Sequence, residues 1–309
     1  MRVNLAVDMG GLALRNPITV ASGTFGSGRE YAELWENCGS SLAVLGALCT
    51  KGVSYEPWEG NSGTRITETA GGMLNSIGLQ NPGVEYFCKN DLAWLATQDV
   101  PVIVNVSGHQ SAEYAQVIER LEQEQGVAAY EVNISCPNVD RGGMSFGMDA
   151  QAAAEVTALC RQATKKPLIV KLTPNVTDIT DIACAVEAAG ADALSLINTV
   201  AGMAIDASKR TKVFERGVGG LSGPAIKPIA LYAVHRVYKA VSIPLLGMGG
   251  ISSATDVVEF LLAGATAVAI GTATFADPLR TPRLVQELER WCKIEGVSDI
   301  RELTGALET

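Results

Sequence analysis

The sequence predicts an α/β protein of the (β/α)8 TIM-barrel type, and three observations carry that expectation. Eight short β-rich runs alternate with segments of helical period. No linker or low-complexity tract divides the 309 residues, so a single domain over 1–309 is expected. A hydrophobic content of 47% against 18% charge suffices for one large core. Eight strands, each followed by a helix, close a barrel.

The first run is PITVASG (17–23), bounded by Pro17 and Gly23 and rich in β-branched residues. LAVLGALCTKG (42–52) and PVIVNVSG (101–108) are the second and third. A helical segment follows at 111–125, where apolar residues recur every three to four positions. AAYEVNISCPN (128–138) is the fourth run, with an alanine-rich helix at 149–165; PLIVKLTPN (167–175) is the fifth, with a helix at 178–190. DALSLINT (192–199), IPLLGMGG (243–250) and AVAIGTA (267–273) complete the eight, with helices expected from about Ser253 and Pro282 after the last two. Two connections are too long for simple turns, 53–83 after the second strand and 199–224 after the sixth. Long connections in a compact domain are usually functional, and both leave the strand ends where barrel active sites lie.

Composition removes several function classes. A net charge of -9 and a pI near 4.9 give nucleic acid or an anionic membrane no general attraction. The N-terminus interrupts any apolar stretch with Asp8 and two glycines, and nowhere do 18 apolar residues run together, so a cytoplasmic protein is expected. Seven cysteines, at 38, 49, 88, 136, 160, 184 and 292, include no CxxC pair, which argues against disulfide, zinc or iron–sulfur frameworks. His109 and His235 are the only histidines and read as structural; no metal site is expected.

A polar residue stands at the end of each of the first six strands: Ser22, Lys51, Asn105, Asn133, Lys171 and Asn198. Alternation puts Asn133 on one face with Glu131 and Ser135, and Lys171 with Ile169 and Thr173. A lysine buried between Val170 and Leu172 needs an anion or acceptors, either a ligand or an internal ion pair with Glu131. Amides and ammonium groups around a pocket suit a flat heterocycle bearing carbonyls and ring nitrogens. The last two strands end in GMGG (247–250) and IGTA (270–273), where glycine lets backbone N–H groups approach a phosphate. Phosphate site and polar ring together read as an FMN site.

The runs GGMLNSIGLQNPG (71–83), NISCPNVDRGG (133–143), INT (197–199) and GLSGPAIKP (220–228) resemble dihydroorotate dehydrogenase. The likeness spans the whole chain and is greatest to class 1B catalytic subunits. Class 2 enzymes resemble it less, because they carry serine where Cys136 stands and add an N-terminal membrane helix. The resemblance implies oxidation of dihydroorotate to orotate on one FMN, and a homodimer core joined to a second subunit carrying FAD and a 2Fe-2S cluster that passes electrons to NAD. It implies FMN contacts from Ser22, Lys51, Gly52, Asn105, Asn133, Lys171, Ile197, Gly223, Gly249, Gly250, Gly271 and Thr272, the last four around the phosphate. Lys51, Asn75, Ser76, Ile77, Gly78, Leu79, Asn133, Asn198 and Thr199 would hold the pyrimidine. Cys136 would be the catalytic base and Lys171 the electrostatic catalyst beside the flavin. Residues 137–149, with Gly142, Gly143 and Gly147, are expected to contribute to a lid.

Rival readings keep the flavin but take uracil or a tRNA dihydrouridine, or replace redox chemistry by an aldolase or lyase with Lys171 as Schiff-base nucleophile. A third makes the chain a non-catalytic interaction subunit.

Overall fold

The computed structural model describes residues 1–135 and 146–308. Eight parallel strands close a barrel: β1 (Ile18–Val20), β2 (Ala47–Cys49), β3 (Val102–Val106), β4 (Val127–Asn133), β5 (Leu168–Lys171), β6 (Ala193–Leu196), β7 (Leu245–Met248) and β8 (Ala267–Ile270). Each strand pairs with its sequence neighbours, and β8 pairs back onto β1 with Val268 opposite Ile18 and Ile270 opposite Val20. Every residue of the eight strands except Ala128 is buried, as expected for strands enclosed by side chains within and helices without.

The expected strands are present, mostly shorter than their apolar runs. The largest difference lies in 42–52, where Leu42–Val44 forms a 3-10 turn and pairing starts only at Ala47. Gly46 lies against the entry to the first strand, donating its N–H to the Ile18 carbonyl at 2.8 Å, and a Cβ there would stand 2.1 Å from the Asn16 carbonyl oxygen. The three expected helices run Ser111–Leu121, Ala150–Ala163 and Ile179–Ala188. Asp149 and Asp178 start the latter two by accepting N–H bonds from Ala152 and Thr180, which satisfies donors the first turn leaves open.

An N-terminal hairpin (Val7–Asp8 with Ala13–Leu14) buries Val7, Met9, Leu12 and Leu14. Its turn approaches the chain at Asp192, which enters β6.

Both long connections fold, and they fold together. Ile66–Thr69 and Gly72–Asn75 of the first form an antiparallel sheet with Gly219–Ser222 and Val200–Gly202 of the second. Backbones approach closely where glycine stands, as at Gly72, whose Cβ would meet the Ser222 carbonyl oxygen at 2.0 Å. Trp58, in the first connection, stacks on His109 beyond β3 with ring centroids 3.9 Å apart, a structural role for that histidine. No helix among the described residues is long and apolar enough to cross a membrane.

Candidate functional site

A cavity of about 1190 Å³ opens at the C-terminal ends of the strands, roofed in part by the small sheet. Single small-molecule sites usually measure about 300–1,000 Å³, so this one has room for two ligands side by side. Every FMN and pyrimidine position inferred from sequence lines it. Cys136 lies outside the described residues, as do 137–145 of the expected lid.

The remainder of that lid departs from expectation. Phe146–Met148 is a 3-10 turn with Phe146 and Gly147 buried, the Gly147 N–H donates to the Ile134 carbonyl at 2.8 Å, and Phe146 meets Tyr114 edge-on. Residues 146 and 147 are therefore docked on the barrel, and this correction follows from the apolar bulk of Phe146.

Glu131 organises the polar ring. It is 1% exposed and accepts from Asn105 Nδ2 at 2.6 Å, Ser195 Oγ at 2.7 Å and Cys49 Sγ at 3.4 Å. Lys171 Nζ lies 3.5 Å from the same carboxylate and 3.2 Å from Ser22 Oγ. The ion pair that sequence left open thus forms, and Lys171 still lines the cavity. Burial alone would push the Glu131 carboxyl up, but the Lys171 charge and the donors from Ser195, Asn105 and Cys49 outweigh it and hold the group below its ordinary value. The Cys49 thiol moves the other way, raised by burial and by the Glu131 charge.

Lys51 has no ion-pair partner among the described residues, and burial together with the charge of Arg65 lowers its pKa. A lysine in that state favours an anionic ligand. Asn198 Nδ2 donates to Ser135 Oγ at 2.9 Å, and its Oδ1 accepts from the Thr199 N–H at 2.8 Å. Asn75 Nδ2 reaches the Gly220 carbonyl at 3.2 Å, so the roof sheet fixes the start of the 75–79 segment. Asn175 was missed by the sequence reading. Its amide donates to the Thr199 carbonyl at 3.0 Å and accepts from Ala201 N–H at 2.8 Å, tying the end of β5 to the second connection. The signal was its place two residues beyond Thr173 on the same loop.

At the far end, Gly223, Gly249, Gly250, Gly271 and Thr272 face the cavity together. The backbone N–H groups of Gly249, Gly250, Gly271 and Thr272 find no protein acceptor among the described residues. Gly250 has φ +77°, and a Cβ there would sit 2.8 Å from the Gly223 carbonyl oxygen. The helix after β7, Ala254–Leu262, spends the N–H groups of Ser252 and Ser253 on its own Asp256. After β8 a short helix, Ala273–Ala276, precedes the long one, Arg280–Glu295, so the latter does not begin at the strand end. The acceptor-less N–H groups at this end of the cavity thus come mainly from loops, an arrangement that suits a phosphate.

Fold and site together define a TIM-barrel protein whose strand ends combine a phosphate-type N–H cradle with a ring of amides and lysines. The family model for dihydroorotate dehydrogenase matches residues 4–291. The chain is 54% identical over 306 residues to a protein of Desulforamulus reducens named dihydroorotate dehydrogenase B (NAD(+)), catalytic subunit, with 99% of both chains covered. A protein of the same name from Pelobacter propionicus is 53% identical over 308 residues, with 100% of both covered. Among solved structures, dihydroorotate dehydrogenase of Eimeria tenella in complex with ferulenol superposes with a TM-score of 0.80 at 21% identity, covering 98% of this chain and 88% of that one, a likeness of fold. The chain belongs to the dihydroorotate dehydrogenase family.

Proposed function

We propose that this chain is the catalytic subunit of an NAD-linked dihydroorotate dehydrogenase, which oxidises dihydroorotate to orotate in pyrimidine biosynthesis. One observation carries the reading: acceptor-less backbone N–H groups at one end of the cavity and Lys51, Lys171 and three asparagines along it face the same space. That donor set fits FMN: Gly249, Gly250, Gly271 and Thr272 would hold its phosphate through their N–H groups, and Ser22, Gly52, Asn105, Asn133, Lys171, Ile197 and Gly223 would hold its ring. When bound, FMN supplies the hydride acceptor for carbon 6 of the substrate.

Lys51 binds the substrate carboxylate, and the backbone of Ser76 to Leu79 closes on the pyrimidine. The amides of Asn75, Asn133 and Asn198, with Thr199, fix its carbonyl and N–H edges, which holds carbon 6 in a reactive position. Lys171 places positive charge where negative charge develops on reduction. Cys136 accepts the proton from carbon 5; it follows Ser135, the hydroxyl that receives Asn198, at the end of β4.

Residues 1–309 form one catalytic unit, working in the cytoplasm within a homodimer core. A partner subunit carrying FAD and a 2Fe-2S cluster passes electrons to NAD, a reading supported by the relatives' name, which gives NAD(+) and a catalytic subunit. The test is steady-state orotate formation by the purified chain with an artificial dye, with fumarate and with NAD. Turnover with dye alone, extended to NAD on adding the partner, is expected. Efficient turnover with fumarate would overturn the NAD-linked assignment, and no turnover with any acceptor would overturn the whole reading.

A further inference from the structure

The strand-end lysines and amides explain contact with ligands, yet the group that holds them lies one layer beneath. Glu131 touches one residue from each neighbouring strand on both sides: Cys49 of β2, Asn105 of β3, Lys171 of β5, and Ser195 of β6. Register places Asn105 beside Glu131 across β3 and β4, and Ser195 beside Lys171 across β5 and β6. All four donors converge on this one carboxylate. Asn105 and Lys171 line the cavity, whereas Glu131 does not.

A buried carboxylate satisfied by several donors is costly to maintain unless geometry is good, and a well-packed apolar barrel would be at least as stable. Its retention here has a directional consequence. Asn105 gives its amide N–H to Glu131 at 2.6 Å, which leaves its Oδ1 toward cavity-lining Gly52, 2.9 Å from where a Cβ on that glycine would stand. Lys171 is anchored at one side by Glu131 and Ser22, which leaves its one remaining donor for the cavity.

We infer that Glu131 is a positioning residue for the flavin site: its negative charge sets the orientation of the Asn105 amide and both the place and the net field of the Lys171 ammonium. The inference rests on the proposed FMN reading. It predicts that the electrostatic field at the flavin is that of a Lys171–Glu131 pair and not of a free cation, so that removing the carboxylate charge favours the reduced, more negative flavin.

The test compares the full-length wild type with Glu131→Gln, Lys171→Met and the double variant, using two readouts. The first is the midpoint potential of bound flavin. Glu131→Gln is expected to favour reduced flavin about tenfold, which for a two-electron couple is about 30 mV upward. Lys171→Met is expected to shift the potential downward, which shows that the readout senses this locus. An unchanged or lowered potential in Glu131→Gln, with flavin retained and Lys171→Met shifted, overturns the inference. The second readout is thermal stability without flavin. Lys171→Met should be less stable than the double variant, because it leaves a carboxylate buried without its cation. Equal losses would overturn the coupling of the two residues. If the wild type binds no flavin, the proposed function fails, and the stability cycle still decides whether Glu131 and Lys171 act as a pair.

Discussion

Gly250 lies where fold and cofactor site share one constraint. Its φ of +77° is in the left-handed region, and an added Cβ would meet the Gly223 carbonyl oxygen at 2.8 Å, Lys227 Cβ at 2.9 Å and Lys227 N at 3.0 Å. Two of those three atoms are backbone, so relief requires the 223–227 chain or the β7 loop to move. Left-handed backbone costs a non-glycine residue about 1–2 kcal/mol, and overpacking of this kind adds about 1–3 kcal/mol. Gly250→Ala should therefore destabilise the protein by about 2–5 kcal/mol. Because the displaced segment carries cradle N–H groups, FMN affinity should fall at least about tenfold, the equivalent of about 1.4 kcal/mol. Gly271→Ala is the control for stability, since its Cβ would meet nothing nearer than Ala21 Cβ at 3.6 Å. The assays are thermal unfolding of the apoprotein and titration with FMN followed by quenching of flavin fluorescence. Gly250→Ala melting with the wild type and binding FMN equally well would refute the reasoning.

Other expectations concern the substrate side. Lys51 carries a lowered pKa from burial and the Arg65 charge, and the ammonium form exists only below that value. Orotate affinity should accordingly fall as pH rises through a value below the ordinary lysine range; Arg65→Gln should move the fall to higher pH, and a flat basic limb in a binding titration would contradict the role. Cys136→Ala should keep FMN but lose at least about a hundredfold in the rate of flavin reduction by dihydroorotate, the low end for loss of a general base. Rapid-mixing absorbance measures it, and an unchanged rate would remove Cys136 from the mechanism. Phe146→Ala should cost about 3–5 kcal/mol in unfolding free energy, since that ring is 1% exposed and edge-on to Tyr114; a loss under about 1 kcal/mol would show that the segment is not anchored there.

The barrel was legible because its signal is local: apolar runs bounded by Gly, Pro and Asn, at intervals filled by helical period. So was the ring from Ser22 to Asn198, since each member follows an apolar run and the topology alone brings the strand ends together. The roof sheet was not legible. Gly72–Asn75 pairs with Gly219–Ser222 across more than a hundred residues, in short glycine-rich strands with no alternation to announce them. Leu42–Val44 reads as strand on composition, whereas local turn bonds, Val44 N–H to the Ser41 carbonyl and Leu45 N–H to the Leu42 carbonyl, make it a 3-10 turn. The cost of burying Lys171 points to the pair with Glu131 as one of two fates for the lysine, but the convergence of Cys49, Asn105 and Ser195 on the same carboxylate depends on barrel stagger, which no single segment encodes. The helix after β8 was placed near Pro282, and the intervening short helix at Ala273–Ala276 is too brief to leave a periodic pattern.

The central claim is that one chamber seats the flavin and the pyrimidine in reacting contact. Anaerobic titration of the FMN-loaded chain with dihydroorotate tests it most directly. The account predicts stoichiometric bleaching of the flavin with one orotate released per flavin reduced; a flavin that binds in the chamber yet stays oxidised in excess dihydroorotate would contradict it.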